Sequence, residues 1–170
     1  LTENLVVNCT KISSPLPPNL CVSRIIASKH KKNRVYATLN GYRQDNFKPY
    51  VFMSDDFGNT WNSISSNLPN TAAVNVIKED SHNEELLFVG TDNGAYISFN
   101  NGDYWDTFSE GLPNVAVHDL VIQEEARDLL VGTHGRSIYK ANITSLQQYG
   151  EIGNKDMVIF DIEPIKSSRR

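Results

Sequence analysis

The side chains of this sequence that could do chemistry lie singly or in adjacent pairs at the ends of short apolar runs. They are carboxylates, imidazoles, guanidiniums and one phenol, namely Arg24, Tyr42, Arg43, Asp92, His118, Asp119, His134 and Arg136. Two carboxylates that face each other can act as general acid and general base, so Asp92 and Asp119 are the candidate catalytic residues. All of the set except Asp92 are also candidate ligand-binding residues, because loops carry a large share of binding side chains.

Each candidate also has a purely structural interpretation. His118 and Asp119 could satisfy each other and nearby backbone amides at a strand end. Arg136 follows His134 and Gly135 and could hold a loop in place by donating to backbone carbonyls. A functional role requires that the fold bring these residues to one face, so the elements that carry them have to be identified.

Composition and motifs exclude several classes of function. The chain of 170 residues carries a net charge of −4, and an acidic pI near 5.5 argues against a nucleic-acid surface, which would be basic. No apolar run approaches the roughly 20 residues that a membrane span needs. The sequence has no P-loop, GxGxxG or GxSxG motif and no Cys/His cluster with zinc spacing. We therefore expect no cofactor, no metal, no nucleic-acid partner and no membrane span.

Two cysteines lie near the beginning of the sequence. Cys9 and Cys21 flank a proline-rich stretch and could form a disulfide if the protein is extracytoplasmic, or they could be two free thiols. The chain opens at Leu1 rather than Met, so we expect that upstream sequence has been removed. These features favour a secreted, extracytoplasmic protein without identifying the compartment.

One eight-residue pattern occurs twice and organises the chain. The copies occupy 54–61 and 98–105, and their tryptophans are 44 residues apart (105 − 61). An Asp or Asn side chain can accept bonds from downstream amides, a Gly can take a positive φ, and the Trp supplies an apolar plate. The residues to which the pattern gives this structural role are Ser54, Asp56, Gly58, Thr60, Trp61, Ser98, Asn100, Gly102 and Trp105.

Short β-branched and apolar runs, separated by Asn, Gly and Asp turns, predict an all-β chain. Four such runs per repeat of 44 residues are typical of a propeller blade. The sequence therefore predicts a partial β-propeller of about three four-stranded antiparallel blades with an extra C-terminal strand. The predicted boundaries are 1–21 for the tail of a preceding blade and a Pro-rich linker, 22–69, 70–113 and 114–146 for the blades, and 147–170 for an extension with a strand at 157–162.

The repeated pattern resembles the Asp-box, or BNR repeat, of sialidase-like and sortilin-like β-propellers. Gly132-Thr133-His134-Gly135-Arg136-Ser137 and Phe160-Asp161-Ile162-Glu163-Pro164 look like the C-terminal blades, and the strand after them, of large sortilin-like BNR-repeat proteins. Such proteins are often labelled glycosyl hydrolases. The resemblance implies that both boxes are structural turns between the third and fourth strands of a blade.

Propeller geometry, as the resemblance implies it, sorts the candidates by face. The starts of the first strands and the loops between the second and third strands lie on one face, opposite the boxes. That face would carry all the candidates together with Asn40, Asn75 and Asn93. The long loop at 40–48 is the main candidate recognition segment, because it mixes aromatic and polar groups.

Two functions remain open. The first is a non-catalytic scaffold and recognition surface for a protein or carbohydrate partner, packed against the rest of a longer chain or self-associated through its terminal blades. The second is part of a glycoside hydrolase, sialidase-like or endoglucanase-like, whose remaining catalytic residues lie in other blades. Glycoside hydrolysis needs two carboxylates about 5 to 9.5 Å apart, and a sialidase needs a Tyr with a Glu beside it, which the loop around Tyr42 lacks. We therefore expect the first function.

Overall fold

Three antiparallel sheets follow one another along the chain in the computed structural model, which describes residues 11–12 and 16–149. The first sheet contains β1 (Cys21–Ala27), β2 (Val35–Gly41), β3 (Asn46–Ser54) and β4 (Asn62–Ser63). The second contains β5 (Val74–Glu79), β6 (Leu87–Thr91), β7 (Gly94–Ser98) and β8 (Asp106–Phe108), and the third contains β9 (Val117–Gln123), β10 (Asp128–Thr133) and β11 (Ile138–Asn142). Within each sheet, every strand pairs with its neighbours in sequence, so the predicted all-β partial propeller is confirmed.

The third sheet differs from the first two. Among the described residues it has three strands rather than the predicted four, and the predicted strand at 157–162 lies outside the described residues. A short helix, α1 (Thr144–Tyr149), follows β11, where the sequence predicts only a polar stretch. The helix forms here because Ile143 is fully buried and its carbonyl accepts a bond from the Gln147 amide at 3.0 Å, which closes the first turn.

The middle sheet is covered on both faces. Every residue of β6 and β7 is buried. Alternate side chains of a strand point to opposite faces, so both faces of this sheet must be covered. Leu87 and Val89 pack in one apolar cluster with the first sheet, whereas Leu86 and Phe88 pack in another with the third sheet. This face-to-face stacking places β5 beside β1 on one side and β9 on the other, so the three inner strands lie next to one another.

The connection between β2 and β3 is shorter than the long loop predicted at 40–48. Gly41 and Asn46 pair across the ladder, and a Cβ on Gly41 would lie 2.7 Å from the Asn46 carbonyl oxygen. The glycine therefore lets the two strands stay paired almost to their ends. Only the 3-10 turn Tyr42–Gln44 and Asp45, which has φ of 52°, project beyond the strands.

The first turn (54–61) connects β3 to β4 through bonds to two side chains. The Ser54 hydroxyl oxygen accepts a bond from the Gly58 amide at 2.8 Å. The Asp56 carboxylate accepts bonds from the Thr60 amide at 2.8 Å and the Thr60 hydroxyl at 2.7 Å. Gly58 has φ of 89°, a conformation that costs a side-chain-bearing residue energy.

The second turn (98–105) connects β7 to β8 in the same way. The Ser98 hydroxyl oxygen accepts a bond from the Gly102 amide at 2.9 Å. The Asn100 side-chain oxygen accepts a bond from the Tyr104 amide at 2.9 Å, and Gly102 also has φ of 89°. The two turns therefore share one backbone conformation and one set of side-chain acceptors.

The tryptophans that end the two turns differ in burial. Trp105 is 2% exposed, and its Nε1 donates to the Ile64 carbonyl oxygen at 2.8 Å. Trp61 is only half-buried, and its Nε1 donates to the Ile12 carbonyl oxygen at 2.9 Å. The prediction that both indoles are largely buried is confirmed for Trp105, whereas Trp61 is less completely buried than Trp105. In the described part of the chain, Trp61 meets a short segment rather than a neighbouring sheet.

Arg34, the residue directly before β2, connects the two turns. Its side chain is 7% exposed, and its Nε donates to Asp55 Oδ1 at 2.6 Å while its Nη1 donates to Asn101 Oδ1 at 3.0 Å. The bond from Arg34 holds the pKa of the Asp55 carboxyl below its usual range. Because Asp55 belongs to the first turn and Asn101 to the second, one guanidinium ties this end of the first sheet to the second.

Candidate ligand-binding site

A pocket of about 710 Å³ opens at the end of the sheets where β2 joins β3, and the two turns lie at the other end. Its volume lies in the range of small-molecule sites. All three sheets and their connections contribute to it, through Cys21, Val22, Ser23, Asn40, Tyr42, Arg43, Asn75, Asp92, Ala116, His118 and His134. The structure thus brings together most of the residues that the sequence places on one face.

Each of the three inner strands has a bulge at this pocket. The ladders skip one residue in each strand, namely Ser23 in β1, Asn75 in β5 and His118 in β9. A bulge leaves one residue unpaired and re-aims its side chain. All three bulged residues line the pocket, so the same backbone irregularity supplies one polar side chain from each sheet.

The bulges also change the alignment of the repeats. The sequence pairs Asn75 with Asp119, 44 residues apart (119 − 75), whereas in the structure the residue equivalent to Asn75 is His118. Asp119 occupies a regular ladder position opposite Gly132. This shift of one residue explains why His118 lines the pocket and Asp119 does not.

A chain of side-chain hydrogen bonds joins the first two sheets inside the pocket. Asn40 Nδ2 donates to Asn75 Oδ1 at 2.9 Å, and Asn75 Nδ2 donates to Asp92 Oδ1 at 2.8 Å. The Asn40 side-chain oxygen also accepts a bond from the Tyr42 amide at 2.8 Å. These bonds fix the orientation of both amide groups. Among the described residues, none donates to the second carboxylate oxygen of Asp92, which leaves that oxygen able to accept from a ligand.

Aromatic and basic groups complete the pocket. The Tyr42 side chain is 63% exposed and meets Phe47 edge to face, with ring centroids 5.9 Å apart. The rings of His118 and His134 are 5.2 Å apart at a tilt of 48°. Arg43 lies beside Tyr42 in the 3-10 turn. The pocket therefore offers flat apolar ring faces, hydrogen-bond donors and one carboxylate to the same ligand.

Three of the predicted site residues lie outside the pocket. Arg24 Nη2 donates to Asp119 Oδ1 at 2.7 Å and forms an ion pair between β1 and β9. Both side chains are more than a third exposed, so the pair contributes little to stability. Arg136 is exposed in the connection between β10 and β11. Asp92 and Asp119 therefore do not face each other across the pocket, and Asp119 is bonded to Arg24 rather than to His118.

Sequence reasoning missed Ser23 and Cys21 as pocket residues. A signal for Ser23 is present, because a valine directly precedes the bulged polar residue in each inner strand, as Val22, Val74 and Val117. Val74 and Val117 are fully buried, so in those two strands the valine anchors the backbone just before the bulge. Cys21 is an exposed thiol without a disulfide partner in the described part of the chain, and Cys9 lies outside it.

Metal and membrane signals are lacking in the part of the chain that the structure describes. There, no group of three or more His, Cys, Asp or Glu side chains could hold a metal ion. None of the helices within residues 16–149 is long and apolar enough to cross a membrane.

Comparisons with known proteins find similar chains among solved structures. No family model matches the chain, and no curated protein sequence matches it. Among solved structures, the chain is similar to a GH74 xyloglucanase from Xanthomonas campestris, with 15% identity over 71% of this chain and 22% of that protein, at a TM-score of 0.58. It is also similar to a GH74 enzyme from Niastella koreensis, with 20% identity over 71% of this chain and 21% of that protein, at a TM-score of 0.55.

An ancestral GH74 enzyme gives a third match, with 24% identity over 72% of this chain and 15% of that protein, at a TM-score of 0.56. The chain thus spans between 15% and 22% of the lengths of these three proteins. The TM-scores show a shared fold, and at identities this low the similarity shows the fold alone. The three sheets therefore have the architecture of part of a propeller found in glycoside hydrolases.

Proposed function

We propose that this chain is a segment of a propeller glycoside hydrolase and that its pocket binds a carbohydrate. The observation that carries the proposal is the composition of the pocket. Asn40 and Asn75 present oriented amides, Asp92 presents a carboxylate oxygen, and Tyr42 presents an exposed ring. Sugar hydroxyls both donate and accept hydrogen bonds, and the C–H faces of a sugar ring can pack on an aromatic face, so this set of groups suits a sugar.

Binding without cleavage is the activity that the pocket supports for this segment alone. Asp92 is the only carboxylate among the described residues that line the pocket, and hydrolysis needs two carboxyl groups about 5 to 9.5 Å apart. The second carboxylate would have to come from another part of a longer protein. The single carboxylate therefore favours a non-catalytic recognition surface for the isolated chain, within a propeller that is catalytic as a whole.

The two turns support a finer family assignment. Their shared hydrogen bonds, which the Gly58 and Gly102 amides donate to the Ser54 and Ser98 hydroxyl oxygens, are those expected of the Asp-box. We extend the proposal accordingly to a BNR-repeat propeller of the sortilin-like type. A polysaccharide ligand would place such a protein outside the cytoplasm.

Calorimetric titration of the purified chain with neutral glucan oligosaccharides, xyloglucan fragments included, tests the binding proposal. Tyr42→Ala should weaken binding about tenfold, which corresponds to about 1.4 kcal/mol, because it removes the exposed ring at the pocket. Tyr104→Ala is the matched control, since Tyr104 is 55% exposed but lies in the second turn at the opposite end. The proposal would be refuted if the wild-type chain did not bind these oligosaccharides. It would also be refuted if Tyr42→Ala and Tyr104→Ala weakened binding equally.

Turnover of a panel of aryl glycosides, sialosides included, separates binding from catalysis. We expect no hydrolysis by the isolated chain. Asp92→Asn removes the carboxylate that lines the pocket, and Asp119→Asn is the matched change outside it. Activity that is lost in Asp92→Asn and retained in Asp119→Asn would show that the segment is catalytic by itself.

The Cys21 thiol provides an independent test of where the sugar binds. Cys21 lines the pocket, so a bound oligosaccharide should slow its modification by a thiol reagent. The measurement uses a Cys9→Ser background, so that Cys21 is the only thiol that the reagent can modify. An unchanged rate of modification at a saturating sugar concentration would place the sugar elsewhere on the molecule.

A further inference from the structure

Arg43 brings a guanidinium to the pocket that forms no ion pair with any residue that the structure describes. Two other arginines of the first sheet and its connections are paired. Arg24 donates to Asp119 at 2.7 Å, and Arg34 donates to Asp55 at 2.6 Å. A guanidinium has five N–H donors and no acceptor, so Arg43 has donors and a charge that no described carboxylate satisfies.

The turn that carries Arg43 is held in place by hydrogen bonds. The Asn40 side-chain oxygen accepts a bond from the Tyr42 amide at 2.8 Å, and the Asp45 amide donates to the Tyr42 carbonyl oxygen at 3.2 Å. The backbone therefore presents the Arg43 side chain to the pocket from a fixed position. Little backbone freedom would be lost when a ligand binds there, which favours binding.

The carboxylates closest to Arg43 in the sequence and in the pocket lining leave its charge unpaired. Asp92 Oδ1 accepts a bond from Asn75 Nδ2 at 2.8 Å, and the same nitrogen donates to the Val117 carbonyl oxygen at 3.3 Å. Within the described residues, neither Asp92 nor Asp45 forms an ion pair with Arg43. The first two sheets thus satisfy each other's amide groups and leave the guanidinium available to a ligand.

We propose that the pocket binds a carbohydrate that carries an anionic group, a uronate carboxylate or a sulfate ester, and that the Arg43 guanidinium binds this group. The inference rests on the carbohydrate function proposed above and names the class of sugar.

The chemistry of the anionic group matches that of the guanidinium. Sugar hydroxyls both donate and accept hydrogen bonds, whereas carboxylate and sulfate oxygens only accept, so they suit a group that only donates. A carboxylate can accept two parallel bonds from one guanidinium, and such charge-assisted bonds are stronger than bonds between neutral groups. From the third sheet, the imidazoles of His118 and His134, whose rings are 5.2 Å apart, can donate further bonds to the same ligand.

Calorimetric titration of the purified chain with three oligosaccharides of equal length tests the inference. The ligands are cellohexaose, a β-1,4-linked glucuronan hexasaccharide and a sulfated cellohexaose. We expect the anionic ligand that fits to bind about fivefold more tightly than cellohexaose at low salt, because Arg43 is exposed and an exposed ion pair is worth no more than that. Added salt should shrink this advantage, since it screens exposed charges.

Variants at position 43 assign the advantage to the guanidinium and identify the anionic group. Arg43→Gln should remove the advantage and leave the affinity for cellohexaose nearly unchanged. Arg136→Gln is the matched control, because Arg136 is exposed in the connection between β10 and β11 but does not line the pocket. Arg43→Lys keeps the charge without the two-pronged donor geometry, so it should lose an advantage for the uronate but keep one for the sulfate ester.

The inference fails if neither anionic oligosaccharide binds more tightly than cellohexaose, or if Arg43→Gln and Arg136→Gln reduce the advantage equally. In both cases binding of cellohexaose would still support the carbohydrate function. If none of the three oligosaccharides binds, the inference and the proposed function fail together.

Discussion

The two turns have the same internal chemistry but pack against different partners. Both use a serine hydroxyl and an Asp or Asn side chain to bind backbone amides, and both place glycine at φ of 89°. The second turn packs against Ile64 beside the neighbouring sheet, and Trp105 is buried there. The first turn packs against Ile12, and Trp61 stays half-buried. The conformation of the turn is therefore set locally, whereas the burial of its tryptophan is set by what lies next to the sheet.

Truncation of the two tryptophans should give the largest difference between the turns. Trp105→Ala should lower the free energy of unfolding by about 3–5 kcal/mol, because it empties a closed apolar site and leaves the Ile64 carbonyl without its donor. Trp61→Ala should cost less, about 1–2 kcal/mol, because less apolar surface is removed from contact. Chemical denaturation of both variants measures the difference. Equal losses would mean that the indole at 61 is as well covered as the one at 105.

Alanine at the two glycines should give the next difference. A Cβ on Gly102 would lie 2.9 Å from Ile64 Cβ, an atom fixed by the backbone, whereas a Cβ on Gly58 would lie 2.6 Å from the flexible Cδ1 end of Ile12. Both substitutions force alanine into positive φ, at about 1–3 kcal/mol each. Gly102→Ala should therefore be the more destabilising of the two in thermal melts. The reverse order would show that the Ile12 side chain cannot move aside.

Asp56 and Asn100 should give the smallest difference, which depends on pH. Bonds from the Thr60 amide and hydroxyl and from Ser54 hold the pKa of the Asp56 carboxyl below its ordinary value of 3.8. A carboxyl with a depressed folded-state pKa contributes stability above its unfolded-state pKa and loses that contribution as pH falls through the folded-state pKa. Asp56→Asn should therefore reduce the loss of stability on acidification below about pH 4.

The control for this measurement is Asn100→Asp. It should add acid sensitivity to the second turn, because an aspartate there would accept the same bond from the Tyr104 amide. Denaturation midpoints compared at pH 7 and pH 3 measure both effects. Identical acid sensitivity in wild type and Asp56→Asn would show that the turn does not depend on the charge at 56.

Much of the fold could be predicted from the sequence because its signals are local. The alternation of apolar residues defines strands, and the Ser-x-Asp/Asn-x-Gly pattern defines a turn wherever it occurs. The site was predicted less fully, because the register of a strand against its partner is not local. A bulge moves every later residue by one position, so the sequence could not distinguish His118 from Asp119 as the pocket residue. The ion pair between Arg24 and Asp119 joins residues from different sheets. The 44-residue repeat aligns equivalent positions and does not predict which residues of different sheets are in contact.

The three bulges separate the composition of the pocket from the pairing of the strands. Ser23, Asn75 and His118 are the residues that the ladders skip, so the pairing on either side of them does not depend on which side chain they carry. Ligand preference can therefore diverge at three positions while the strand pairing within each sheet stays constant. The contacts between sheets would change with it, because Ser23 donates to the Val74 carbonyl oxygen and Asn75 Nδ2 donates to the Val117 carbonyl oxygen. For protein engineering, a combinatorial library at these three codons would sample new specificities on the same strand pairing.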